Sequence, residues 1–123
     1  MTDATHPTVL VVEDEVFVRI IAADLLEESG FKVLEAGDAA EALALLDVND
    51  DVAVLFTDVN MPGDMDGLAL ARHVADMRPE VKVVVTSGRQ WLQRSELPDD
   101  GMFLPKPYRA SELAAMIQSQ ARH

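Results

Sequence analysis

The 123-residue sequence contains no cysteine. A disulfide framework and a thiolate metal site are therefore both excluded, and the absence fits a reducing compartment. No apolar run exceeds the length of a strand, so no segment is expected to cross a membrane. Met1 to Thr8 is polar and carries Asp3, without the basic and apolar regions of a signal peptide. These absences together point to a cytoplasmic protein. Positive charge is also scarce, with 10 Lys and Arg against 22 Asp and Glu and a formal charge of −12. Such a field repels nucleic acid and anionic lipid, and suits a divalent cation or a basic protein partner. Most of these carboxylates serve only to keep the surface soluble, so the positions of particular acids have to carry the meaning. With no repeats, linkers or low-complexity tracts, the length predicts one domain over residues 1–123, its core spanning about Thr8 to Gln120.

Short β-rich runs alternate with helical ones. Thr8 to Val12 is a continuous apolar run, as expected for a strand covered on both faces. Val18, Ile21, Ala22, Leu25 and Leu26 then form one helical stripe, with Gly30 placed for a left-handed helix end. Phe31 to Ala36 reads as the second strand, and Asp38 as the N-cap of a helix over Ala39 to Leu46. After the turn Asn49-Asp50-Asp51, Val52 to Thr57 reads as the most buried strand. Asp66 is expected to cap a helix carrying Leu70, Ala71, Val74 and Met77, which Pro79 terminates. Val81 to Val85 and Met102 to Leu104 are the last strands, with Pro105 implying that the fifth lies at a sheet edge. Leu113, Met116 and Ile117 line a terminal helix. Between Arg89 and Gly101 no helical stripe continues past Trp91 and Leu92, and Pro98 favours a loop. A helix there is expected to be short, displaced or mobile, and Trp91 to be a half-buried packing residue. His6, His73 and His123 show no metal-ligand spacing and are expected in solvent.

Five strand–helix alternations predict an α/β fold with a parallel sheet and right-handed crossovers. Ligands of such sheets bind beyond the carboxyl ends of the strands. Strand one ends in Glu13-Asp14, strand three in Asp58 and strand four in Thr86-Ser87, while strand five runs into Lys106-Pro107. Three carboxylates gathered from neighbouring strands need a cation, and Mg²⁺ takes oxygen ligands while keeping waters and accepting phosphate. A hydroxyl and an ammonium opposite would bind the other oxygens of a phosphoryl group, and a carboxylate can be the nucleophile that receives it. The parts suit phosphoryl transfer.

Five segments, in order, carry a resemblance: Val11-Val12-Glu13-Asp14-Glu15, Asp58-Val59-Asn60-Met61-Pro62, Met65-Asp66-Gly67, Val85-Thr86-Ser87-Gly88 and Lys106-Pro107-Tyr108. They resemble those of response-regulator receiver domains of two-component signalling. The resemblance implies a doubly wound five-stranded parallel sheet of order 2-1-3-4-5. It implies that Asp58 is the phosphoacceptor and that Glu13, Asp14, Asp58 and the backbone carbonyl of Asn60 hold Mg²⁺. Thr86 would bind one phosphoryl oxygen and Lys106 another, with a cis peptide before Pro107. Thr86 and Phe103 fall at the positions of the family's conformational switch. The donor would be a histidine kinase or a histidine phosphotransfer protein, and the only chemistry would be self-phosphorylation and autodephosphorylation, with no outside substrate turned over.

Alternatives stand beside several of these roles. Ser87 offers a second hydroxyl next to Thr86, Glu15 an acid next to Glu13, and Phe103 fits an ordinary core aromatic. Val16, Phe17 and Ile20 lie off the buried stripe of the first helix, and suit either packing against a neighbouring helix or docking of the partner's helical bundle. The loop from Asn60 to Gly67 is one residue longer than the commonest family form. The weakened fourth-helix region and the absence of sequence after His123 argue against a transcription factor. A stand-alone receiver is therefore expected, set against the receiver of a hybrid histidine kinase, a pseudo-receiver with a dead site, or a metal-dependent phosphatase. The last would place a second acid where Asn60 stands.

Overall fold

The structure, a computed structural model, describes residues 7–122. His6, His123 and most of the polar N-terminal segment lie outside the described residues. Strand β1 (Thr8–Val12) is buried along its whole length because it runs through the middle of the sheet, as its unbroken apolar run predicts. Helix α1 (Val16–Glu28) leads through Gly30, at φ 96°, to the edge strand β2 (Lys32–Ala36). Helix α2 (Ala39–Val48) follows, its first turn closed by the Asp38 carboxylate, which accepts from Glu41 N at 2.9 Å. Strand β3 (Val52–Asp58) lies on the other side of β1, and the order of the strands reverses between them.

Helix α3 (Gly67–Met77) is capped by Asp66, which accepts from Ala69 N at 2.8 Å. Strands β4 (Lys82–Ser87) and β5 (Met102–Pro105) complete the sheet in the order β2-β1-β3-β4-β5, all neighbours parallel, and α4 (Ala110–Ala121) ends the fold. β5 is an edge strand, as Pro105 implied. One core, with Leu10, Leu55, Leu70 and Val85, lies under α2 and α3. The other, with Val9, Phe56, Leu113 and Ile117, lies under α1 and α4.

Two expectations need correction. On α1 the buried residues are Ala22, Ala23 and Leu26, while Ile21 is 59% exposed. The helix is rotated so that two small alanines pack close to the sheet, which carries Ile21 round to the solvent side. Trp91 is not half-buried but 75% exposed, its ring in an edge-to-face contact with that of Phe103.

Between β4 and β5 no α-helix forms; the single regular element is a 3₁₀ turn over Arg94–Glu96. Leu92 is buried in the α2/α3-side core. Arg72 Nη2 donates to Glu96 O at 2.8 Å, and Gln120 Nε2 to Asp100 O at 2.9 Å. Without a helical stripe to bury, the chain is tied down by such single contacts.

Candidate functional site

Because Val12 pairs with Thr57 across β1 and β3, the residues leaving those strands emerge side by side. Glu13 still behaves as strand, its N–H donating to Ala36 O at 3.0 Å. Asp58 is the last residue of β3 and is 6% exposed. It is held from several sides. Val59 N–H donates to Thr86 O at 3.0 Å, the Thr57 hydroxyl to the Asp58 carbonyl at 2.9 Å, and Asn60 N–H to Asp58 Oδ1 at 3.3 Å. Gly67 opens α3 against the same carbonyl, where a Cβ would fall on the Asp58 oxygen. Only glycine lets α3 start there.

Lys106 reaches across from just beyond the end of β5, and its peptide bond to Pro107 is cis. Its Nζ donates to Glu13 Oε1 at 3.0 Å and to Asp58 Oδ2 at 3.1 Å. Glu13 is buried, and its Oε2 accepts from Glu15 N at 3.2 Å. Asp14 is exposed, yet carboxylate oxygens of Glu13, Asp14 and Asp58 lie within 4.8 Å of one another.

One ammonium therefore bridges two carboxylates, Glu13 and Asp58, with the Asp14 carboxylate beside them. Burial raises the Glu13 pKa, with the Asp58 charge adding to it, against the opposing bonds from Lys106 and the Glu15 N–H. For Lys106, burial disfavours the ammonium, but its bonds to Glu13 and Asp58 outweigh this and its pKa is raised. Both directions follow from burial of the group set against its charged neighbours, burial prevailing at Glu13 and the ion pairs at Lys106. The donor set is all oxygen and partly open to water, which fits a hard dication such as Mg²⁺. Above it lies an open cleft of about 570 Å³, lined among others by Asp14, Asp58, Asn60, Asp66, Arg89 and Lys106.

Glu13, Asp14, Asp58, Asn60 and Lys106 are thus brought together. Thr86 is not. It pairs in register with Asp58, but its buried hydroxyl donates to Leu104 O at 2.7 Å. The Ser87 hydroxyl instead accepts from Asn60 Nδ2 at 3.2 Å and from the N–H groups of Arg89 and Gln90, both at 3.1 Å. Ser87 connects through Asn60 to Asp58; Thr86 braces β4 against β5. Phe103 is half-buried, its ring centroid 5.7 Å from that of Trp91 at an interplanar angle of 74°. Glu15 is exposed and lines the cleft. On α1, just beyond the cleft, Val16, Phe17 and Ile20 are exposed, Phe17 at 81%. Ile21 extends this apolar face. Arg19, which bonds the Glu13 carbonyl, and Gly67, which seats α3, were not assigned roles from the sequence. The Met65-Asp66-Gly67 motif flagged the glycine, whereas nothing local flagged the arginine.

The family described as "Response regulator receiver domain" matches residues 9–118. Among curated proteins, the chain is 36% identical to the sensor kinase CckA of Brucella abortus, over 90% of this chain and 12% of the kinase. It is 35% identical to the transcriptional regulatory protein PdtaR of Mycobacterium tuberculosis, over 94% of this chain and 58% of that protein. The chain therefore spans less than two-thirds of either relative. The response regulator receiver protein CpdR of Brucella abortus is 29% identical over 89% of this chain and 92% of that one. Among solved structures, the receiver domain from the hybrid histidine kinase CckA superposes with a TM-score of 0.79 at 35% identity, covering 93% of this chain and 98% of that one. A response regulator receiver domain protein from Clostridium thermocellum gives 0.86 at 26% identity, with 94% of each chain covered.

Proposed function

The chain belongs to the response-regulator receiver family, and from that premise we propose that Asp58 accepts a phosphoryl group from a phosphohistidine partner in a Mg²⁺-dependent reaction. The observation that carries this reading is the Lys106 ammonium bonded at once to Asp58 and Glu13, beside an open cleft. An Asp58 carboxylate oxygen attacks the phosphorus; the phosphorus–nitrogen bond breaks, an acyl phosphate forms, and the histidine imidazole leaves. Asn60 N–H and Lys106 orient the carboxylate, and Lys106 then pairs with a phosphoryl oxygen. Glu13, Asp14, Asp58 and the Asn60 carbonyl would hold Mg²⁺, which when bound offsets charge on the phosphoryl oxygens. Water attack on the acyl phosphate later returns the carboxylate, so no outside substrate is turned over.

For the phosphoryl-binding hydroxyl we favour Ser87 over Thr86. Ser87 already hydrogen-bonds Asn60, whereas the Thr86 hydroxyl is committed to β5. Ser87 would donate its hydroxyl proton to the phosphoryl group. A movement of its side chain to do so would shift the Arg89 and Gln90 N–H groups that donate to it, and with them the segment beyond β4 that carries Trp91. The donor is a histidine kinase or a histidine phosphotransfer protein, and the exposed face of Val16, Phe17, Ile20 and Ile21 beside the cleft suits a helical bundle carrying the donor histidine. Relatives that include a sensor kinase and a receiver protein support a place in two-component signalling.

The test uses acetyl phosphate with Mg²⁺ and intact-mass measurement. We expect one phosphoryl group on the wild type, none after chelation, and none on Asp58→Ala. An unmodified wild type, or an equally modified Asp58→Ala, would contradict the proposal.

A further inference from the structure

Glu13 and Asp14 sit on a short connection between β1 and α1, and Asp14 is exposed, so something has to fix the peptide between them. Glu13 is tied at its N–H to Ala36 O, at Oε1 to Lys106 and at Oε2 to the Glu15 N–H. Its carbonyl is the remaining handle. Arg19 Nη1 donates to that carbonyl at 2.9 Å, and Arg19 Nε donates to Glu35 Oε1 on β2 at 3.2 Å. Gly37 leaves the guanidinium its room, since a Cβ there would stand 3.2 Å from Nη1. A planar fork can bond a carbonyl and a carboxylate at once in one fixed orientation, whereas the donors of an ammonium rotate.

We propose that Arg19 is a positioning residue for the Mg²⁺ site, pinning the Glu13–Asp14 peptide against β2 so that both carboxylates stay aimed at Asp58. The proposal rests on the functional reading above. The ion pair with Glu35 is itself of small worth, because the Glu35 side chain is 42% exposed. Its value lies in orienting the guanidinium. Charge and position make opposite forecasts here. Removing a cation close to a Mg²⁺ site would tighten Mg²⁺ binding if charge governed. It weakens binding if Arg19 acts by holding the ligands, since loss of the groups that hold metal ligands typically costs about 10- to 100-fold in affinity.

Calorimetric titration of Mg²⁺ into wild type, Arg19→Met, Arg19→Lys and Glu35→Gln decides between them, with thermal midpoints measured in parallel. We expect about ten-fold weaker binding for Arg19→Met, a partial recovery in Arg19→Lys and a smaller loss in Glu35→Gln. Unchanged or tighter Mg²⁺ binding by Arg19→Met overturns the proposal while leaving Asp58 phosphorylation standing. Should Arg19→Met not fold, unchanged binding by both Arg19→Lys and Glu35→Gln overturns it equally. A wild type that binds no Mg²⁺ removes the functional reading and this inference together.

Discussion

Two connections leave the carboxyl edge of the same sheet and are built in opposite ways. Around Asp58 the chain is held from several elements: by Thr57 and Asn60 within β3 and the chain after it, by Thr86 O of β4 through Val59 N–H, by Lys106 from beyond β5 and by the close approach of Gly67 at the start of α3. Across β4, residues 88–101 form no α-helix and depend on Leu92, one 3₁₀ turn and isolated bonds from Arg72, Ser87 and Gln120. The proposed chemistry falls where the geometry is over-determined. A segment without repeating backbone bonds is expected to open more readily than the sheet beside it. Ser87 touches both regions, bonding Asn60 on one side and the Arg89 and Gln90 N–H groups on the other, and under the proposed function it is the link between them.

Several measurements would break or sharpen this contrast. Gly67→Ala should have the largest effect, about 3 kcal/mol of stability lost in denaturant unfolding, because a methyl group meets the Asp58 carbonyl with no flexible atom to give way. Leu92→Ala should cost about 2–3 kcal/mol by the same measurement, since this side chain is the segment's anchor in the core. Ser87→Ala should cost about 1–2 kcal/mol and slow phosphorylation from acetyl phosphate, whereas Thr86→Val should cost about 1 kcal/mol and leave the rate nearly unchanged. The reverse pattern of rates would restore Thr86 as the phosphoryl-binding hydroxyl. Trp91→Ala should cost about 0.5–1 kcal/mol, the worth of one exposed aromatic edge. Amide hydrogen exchange should be fast over 88–101 and slow at Val59; equal protection would erase the contrast itself.

Much of the site was legible in the sequence because apolar runs mark strand ends and acids are conspicuous after them. Glu13, Asp14 and Asp58 follow runs too apolar to be anything but buried strands, and Asp38 and Asp66 announce their helices by local chemistry alone. What escaped depends on long-range packing. Thr86 and Ser87 are adjacent hydroxyls, and their different partners, Leu104 O for the first and Asn60 Nδ2 for the second, come from residues distant in sequence. The rotation of α1 follows from how closely Ala22 and Ala23 pack on the sheet, which periodicity alone does not resolve. Arg19 resembles any helix arginine until Glu35 and Gly37 are brought beside it. The weakness of the fourth-helix region was legible because the apolar stripe is missing, but the expectation of a short or displaced helix needs correction, since only the 3₁₀ turn over Arg94–Glu96 forms.

The central claim is best tested at the acceptor atom. After treatment with acetyl phosphate and Mg²⁺, borohydride reduction converts an acyl phosphate to the corresponding alcohol, and peptide sequencing by mass spectrometry then locates it. A receiver that accepts the phosphoryl group at Asp58 yields homoserine at position 58 and nowhere else. Homoserine at position 14 or 66, or none anywhere, would contradict that assignment.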